Sequence, residues 1–158
     1  MGWRGIMLDQ GALWMANSDG MITAVNHQSM AEKKIRAKLI TNDRARLHSS
    51  LRVYAEPQNL FTTENYLIRI DELQDGMFRY ASWKKGSQLT SAPEIILNNG
   101  RVTTSGSGGN HHITFQNGMY QYTIFRQHIR EEGAPEILLE VKKNGETILQ
   151  EEGASVVE

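Results

Sequence analysis

The sequence predicts a mainly β protein, an antiparallel β-sandwich or barrel built from hairpins, with at most one short helix near 29–39. Three observations predict it. Asp-Gly and Asn-Gly steps, which supply the φ > 0 positions of tight hairpin turns, recur along the chain at Asp19-Gly20, Asp75-Gly76, Asn99-Gly100, Asn117-Gly118 and Asn144-Gly145. The runs between them alternate apolar and polar residues, the period of a half-buried strand. Those runs are rich in β-branched and aromatic residues, which suit a pleated surface.

Taken in order, residues 12–26 hold two short apolar runs around Ser18-Asp19-Gly20 and read as a first hairpin. Ser29 is a candidate N-cap, and Ala31 to Leu39 is rich in helix formers with Ile35 and Leu39 at i, i+4. A strand over Ile35 to Ile40 is the alternative. Leu51 to Ala55 alternates and is expected to end before Pro57. Tyr66 to Ile70 and Met77 to Trp83 flank Gln74-Asp75-Gly76 as another hairpin. Ile95-Ile96-Leu97 is a short run expected to stop at Asn98-Asn99-Gly100, with Arg101 to Thr104 as its return strand. Residues 111–126, HHITFQNGMYQYTIFR, give the clearest hairpin, with Tyr120, Tyr122, Ile124 and Arg126 on one face. Ile137 to Val141 and Thr147 to Leu149 flank Asn144-Gly145 as the last. The words Ala92-Pro93-Glu94-Ile95-Ile96-Leu97 and Ala134-Pro135-Glu136-Ile137-Leu138-Leu139 echo each other, by chance or by repetition of a hairpin unit.

Length allows one domain or two small modules. The expected division is a small N-terminal β module over 1–60 and a sandwich-like module over 61–158, with the polar, Pro-bearing stretch 56–64 as linker. A hydrophobic share of 39% and a charged share of 22% suit a folded chain. The absence of cysteine excludes disulfides and thiolate metal sites. The net charge of −1 gives no reason to expect a nucleic-acid partner. No apolar run is long enough for a transmembrane helix, and no leader is evident. The compartment stays unknown, with an extracytoplasmic site expected only if a leader has been removed. Basic residues crowd 33–52 and glutamates crowd 131–152. Solvated faces are the expected reading and a basic binding face the alternative.

Candidate chemistry is sparse. His111 and His112 are adjacent on a strand, so they point to opposite faces and would need His48 or His128 to complete a metal site. No metal and no cofactor are expected. The loop Ser105 to Asn110, SGSGGN, has a phosphate loop's glycines but is followed by a strand, not a helix N-terminus. No G-x-S-x-G elbow and no cysteine offers a nucleophile. Trp83 with Lys84-Lys85-Gly86 sets an aromatic beside cations at a strand end, a pattern suited to binding. For Trp83 core packing is weighed ahead of binding, and it is the expectation for Trp3 and Trp14. The candidate binding residues are therefore Trp83, Lys85, Gly86, His111 and His112, with no catalytic residue named.

Residues 75–102, DGMFRYASWKKGSQLTSAPEIILNNGRV, resemble part of the bacterial membrane-bound inhibitors of C-type lysozyme. Trp83, Lys85, Gly86, Leu97, Asn98 and Asn99 match that family's W-x-K-G element and L-N-N turn. The resemblance implies a small β-barrel. The chain lacks the cysteines many members carry. Ile70-Asp71-Glu72-Leu73 stands where the family places the Ser-containing loop it inserts into its target enzyme. Residues 50–66 are similar to penultimate strands of TonB-dependent receptors of Bacteroidetes. The C-terminal half, with its YASW and GSGGNH words, is similar to uncharacterised secreted β-domains of the same group.

The function expected on these grounds is non-catalytic recognition of a protein or surface glycan. Alternatives are an enzyme or accessory domain using the glycine-rich loop and His pair, and a structural subunit pairing through edge strands.

Overall fold

A computed structural model describes the backbone of residues 3–9, 12–17, 22–24, 30–104, 109–127 and 131–156, and side chains from Ala31 onward within those ranges. The chain is mainly β, and eight antiparallel strands close into a barrel. The elements are β1 (Trp3–Asp9), β2 (Ala12–Asn17), β3 (Ile22–Ala24), α1 (Met30–Ala45), β4 (Glu56–Thr62), β5 (Tyr66–Glu72), β6 (Phe78–Lys84), β7 (Ile95–Thr104), β8 (His111–Asn117), β9 (Tyr120–Arg126), β10 (Ile137–Lys143) and β11 (Glu146–Ser155). Strands β1 to β3 form their own meander. It contains the first expected hairpin, with Trp14 opposite Ala24. The turn at Ser18 to Gly20, the side chains of Trp3 and Trp14, the loop residues 105–108 and His128 lie outside the described residues.

The barrel order is β10-β11-β4-β5-β6-β7-β8-β9. Its interior is filled by Phe61, Ile68, Ile70, Phe78, Tyr80, Ile113, Phe115, Ile124, Ile137, Leu139 and Val141. An eight-stranded barrel is just wide enough for such a filling. The hairpin β8–β9 forms as expected, and its register runs from His111 opposite Arg126 to Asn117 opposite Tyr120. Gly118, at φ +60, takes the first central position of its turn, the glycine demand of a type II′ turn. In the β10–β11 turn Asn144 and Gly145 both have positive φ, 51 and 81, as a type I′ turn requires.

Two strands belong to both halves of the barrel wall. β7 pairs with β6 through Ile95–Gly100 and with β8 through Arg101–Thr104. β11 pairs with β10 along most of its length and, among the described residues, with β4 at Ala154 and Ser155. Each bends where a glycine lets a ring come close. A Cβ on Gly100 would lie 2.3 Å from Phe115 Cε1, and one on Gly153 would lie 2.8 Å from Phe61 Cδ2. This corrects the expected stop at Asn98-Asn99-Gly100: the strand continues, and Gly100 is a barrel corner. The Asn99 carboxamide bonds the backbone of Gln116 (Nδ2 to O 2.9 Å, Gln116 N to Oδ1 3.3 Å), replacing ladder bonds the splayed strands cannot make.

Three further expectations are revised. The helix runs to Ala45 rather than ending at 39. Leu51 to Ala55 is not a strand, because Ser49–Leu51 is a 3-10 turn capped by His48. The segment read as a linker is largely β4, with Pro57 in its first half, where among the described residues the strand has no β11 partner to receive an N–H.

A second core lies on the outer face of β4, β5 and β6. Leu47, Leu51, Tyr54, Leu60, Leu67, Ala81 and Trp83 are buried there, with Ile40 and Leu89 against them. Successive side chains of a strand alternate faces. With α1 and residues 47–54 covering the outer face, β5 and β6 are buried on both. The polar residues of that alternation, Arg69, Asp71 and Arg79, are consequently buried. They meet Asp43 of α1 and Tyr54 in one network. Arg69 bonds both Asp43 and Asp71, Arg79 bonds Asp71, and Tyr54 donates to Asp43. Two guanidiniums against two carboxylates balance in charge, which is what makes their burial tolerable.

Candidate functional site

The expected binding residues are not brought together. Trp83 is 1% exposed, and its indole Nε1 donates to Ser91 O at 2.9 Å. It packs in the outer core beneath the 47–54 segment, so the expected aromatic patch beside Lys85 and Gly86 is not formed. Lys85 and Gly86 sit in the exposed turn after β6, where Gly86 has φ +90.

His111 and His112 lie at the other end of the barrel and point to opposite faces, as adjacent strand residues must. His112 packs on the Phe125 ring with centroids 5.5 Å apart. His111 lines a wide, open depression of about 260 Å³ with Gln58, Phe78, Val102, Thr104, Gly109 and Ile113. Its Nδ1 lies 2.9 Å from Gly109 O. His48 is occupied in capping the 3-10 turn, where Ser50 N donates to its Nδ1 at 3.3 Å. Among the described residues no group of three or more His, Asp or Glu is placed to hold a metal.

The better-formed site is the opposite mouth of the barrel, where the β8–β9 and β10–β11 turns lie. A cavity of about 170 Å³ opens there, walled by Tyr66, Tyr80, Tyr120, Tyr122, Ile95 and Leu149, among others. Its origin is the barrel's own alternation. Tyr66 on β5 and Tyr120 and Tyr122 on β9 occupy inward positions near the strand ends at this mouth, while Tyr80, inward in the middle of β6, lies deeper. Tyr80 forms the floor, 5.3 Å from the Tyr122 ring and 5.5 Å from Phe115. At the rim Lys143 Nζ stands 5.6 Å from the Tyr120 centroid. A register shift in β11 between the partners of Val141 and Lys142 sets Ile148 at the entrance, 55% exposed.

The walls are uncharged. Burial pushes the Tyr80 phenol well above its ordinary range, with Tyr122, Tyr66 and Glu151 adding to the shift and Ser82 opposing it. Burial also raises Tyr122, helped by Tyr120 and Tyr66. Glu151 is turned away from this role. Burial works against its charge, yet the hydrogen bonds from Asn65 and Thr63 hold it below the ordinary carboxylate range. Its oxygens accept from Asn65 N at 3.0 Å and Asn65 Nδ2 at 2.8 Å, tying β11 to the β4–β5 turn. The mouth therefore offers apolar contact, aromatic faces and neutral hydroxyls.

Sequence reasoning placed Tyr120 and Tyr122 on one face but did not join them to Tyr66 and Tyr80. The usable signal was four inward tyrosines, three of them near strand ends that closure brings to one mouth. No protein-family model, curated protein or solved structure matches the chain.

Proposed function

We propose that the protein is a non-catalytic binding module that receives one apolar or aromatic side chain of a protein partner in the tyrosine-lined mouth of its barrel. The observation carrying this reading is the cavity of about 170 Å³ with its apolar and tyrosine walls. That volume fits a single ring, since an apolar cavity of about 150 Å³ takes up benzene. It is below the roughly 300–1,000 Å³ of sites that enclose whole drug-sized ligands. An anchor group entering an aromatic pocket is the usual core of a protein interface. Neutral phenols also suit the task, because an entering apolar group need not displace a tightly hydrated charge.

Titration with indole, followed by NMR, tests the reading. Saturable shifts of the Tyr66, Tyr80, Tyr120 and Tyr122 ring signals are expected. They should vanish in Leu149→Trp, which fills the entrance, while far-UV circular dichroism shows the barrel intact. Unchanged binding in that variant, or no shift in the parent protein, would overturn it.

A further inference from the structure

The mouth adjoins a stretch of unpaired strand edge. β11 pairs with β4 only from Ala154 onward, opposite Thr62. The next opposition is the Glu151 clamp on Asn65 at the β4–β5 turn. Beyond it Glu146–Gln150 overhang that hairpin, paired to β10 on one side except at the bulged Ile148 and, among the described residues, to no strand on the other. The same five residues carry Ile148 and Leu149 of the cavity wall. An open ladder and an apolar pocket thus share one strand.

Resting on the binding reading above, we propose that the partner segment is an extended peptide that adds as a strand to Glu146–Gln150 of β11. One large apolar side chain enters the tyrosine cavity and basic residues flank it. Strand addition satisfies the exposed N–H and C=O groups, and alternation sends every second peptide side chain inward. A second copy of this chain fits less well. Two β11 edges paired antiparallel would each send their inward side chains into their own barrel, leaving both cavities unfilled. Charge favours basic flanks: Glu64, Glu146 and Glu152 are exposed around the open edge, outnumbering Lys143, which stands opposite Glu146 at the rim.

The test uses the full chain and a pool of blocked five-residue peptides with Trp at the centre and Lys at both ends. Amide shifts at residues 146–150 together with tyrosine ring shifts are expected. N-methylation of the peptide N–H groups that face β11 should weaken binding about tenfold, the loss of one to two hydrogen bonds. Methylating the alternate positions should change little. Charge reversal by Glu146→Lys or Glu152→Lys should weaken it roughly twofold to fivefold. Indole is the control for the pocket alone. If indole binds but no peptide does, or methylated and unmethylated peptides bind alike, strand addition is refuted and the pocket reading survives. If neither binds, both fall. A dimer in sedimentation that the peptides do not dissociate assigns the edge to a second copy and overturns the proposal.

Discussion

Arg69 grips Asp43 end-on, with Nη1 to Oδ1 at 3.0 Å and Nη2 to Oδ2 at 2.6 Å, and so ties α1 to the outer face of β5. Arg69 is 1% exposed and Asp43 5%. Removing one partner leaves the other charge buried and uncompensated, which costs about 3–5 kcal/mol. Asp43→Ala should therefore lower the urea midpoint strongly, with a loss in that range. Arg46→Ala, which removes the exposed 3.7 Å partner of Asp43 and leaves Arg69 in place, should cost under about 1 kcal/mol. Equal losses in the two variants would show that the network does not hold the helix.

The same carboxylate sets an acid limit. Burial opposes the Asp43 charge, but the hydrogen bonds and charge of Arg69 outweigh it and hold the group below its ordinary 3.8. Glu151 is also held low, by Asn65 and Thr63. A folded-state value below the unfolded one gives stability that is fully present above the unfolded pKa and is lost as pH falls through the folded value. Urea stability should be level at neutral pH and decline below about pH 4. Glu151→Gln should make that decline shallower, and an unchanged acid limb would count against its clamp on Asn65.

At alkaline pH the sign reverses. Burial and the bond to Asp43 raise the Tyr54 phenol well above its ordinary 10.0. Its contribution is complete below the unfolded value and is lost as pH rises beyond it toward the folded one. Stability should fall above about pH 10. Tyr54→Phe should flatten part of that fall while lowering stability near neutrality by about 1–3 kcal/mol, the cost of leaving Asp43 short of a donor. An alkaline slope identical to the parent's would place the titration elsewhere.

The strands were legible because period-two patterning is local. The β8–β9 and β10–β11 hairpins follow from alternation and one Asn-Gly step each. Gly100 was misread because Asn-Gly is also what a corner tolerates, and only the distant Phe115 ring distinguishes a bend from a turn. Alternation by itself would put Arg69, Asp71 and Arg79 on the solvated side of their strands. Their burial depends on α1, far away in sequence, lying over them. Trp83 stayed a candidate for both core and site for the same reason, since a strand-end tryptophan beside lysines does not announce the segment that will cover it. The tyrosine mouth required closure of β9 against β10 and of β11 against β4, which no local pattern contains.

Gly100 yields a prediction about closure itself. Its missing side chain admits Phe115 Cε1 to 2.3 Å and Phe78 Cβ to 2.8 Å of a Cβ position. A methyl group there must displace a buried ring and a strand, and overpacking costs about 1–3 kcal/mol or more. Gly153→Ala meets Phe61 Cδ2 at 2.8 Å and Ile137 Cγ2 at 3.0 Å and should cost less. Gly100→Ala should be the worse variant in urea unfolding. Shortening the clashing ring with Phe115→Leu should be less harmful in its presence than in the parent. Additive losses would mean the two residues do not compete for the corner.

Trp83 separates core from site directly. Its side chain is fully enclosed among Leu47, Leu51, Leu67 and Ala81, so Trp83→Ala should cost about 3–5 kcal/mol, the usual price of emptying a tryptophan-sized volume. Trp83→Phe retains most of the packing but leaves Ser91 O without its 2.9 Å donor; a loss of about 1–3 kcal/mol is expected. Lys85→Ala, on an exposed turn, should fall within about 0.5 kcal/mol of the parent. None of the three touches the cavity wall. Indole affinity measured well below each variant's unfolding midpoint should therefore stay at the parent value. A folded Trp83→Phe protein with weakened indole binding would return Trp83 to the site and displace the mouth as the place of recognition.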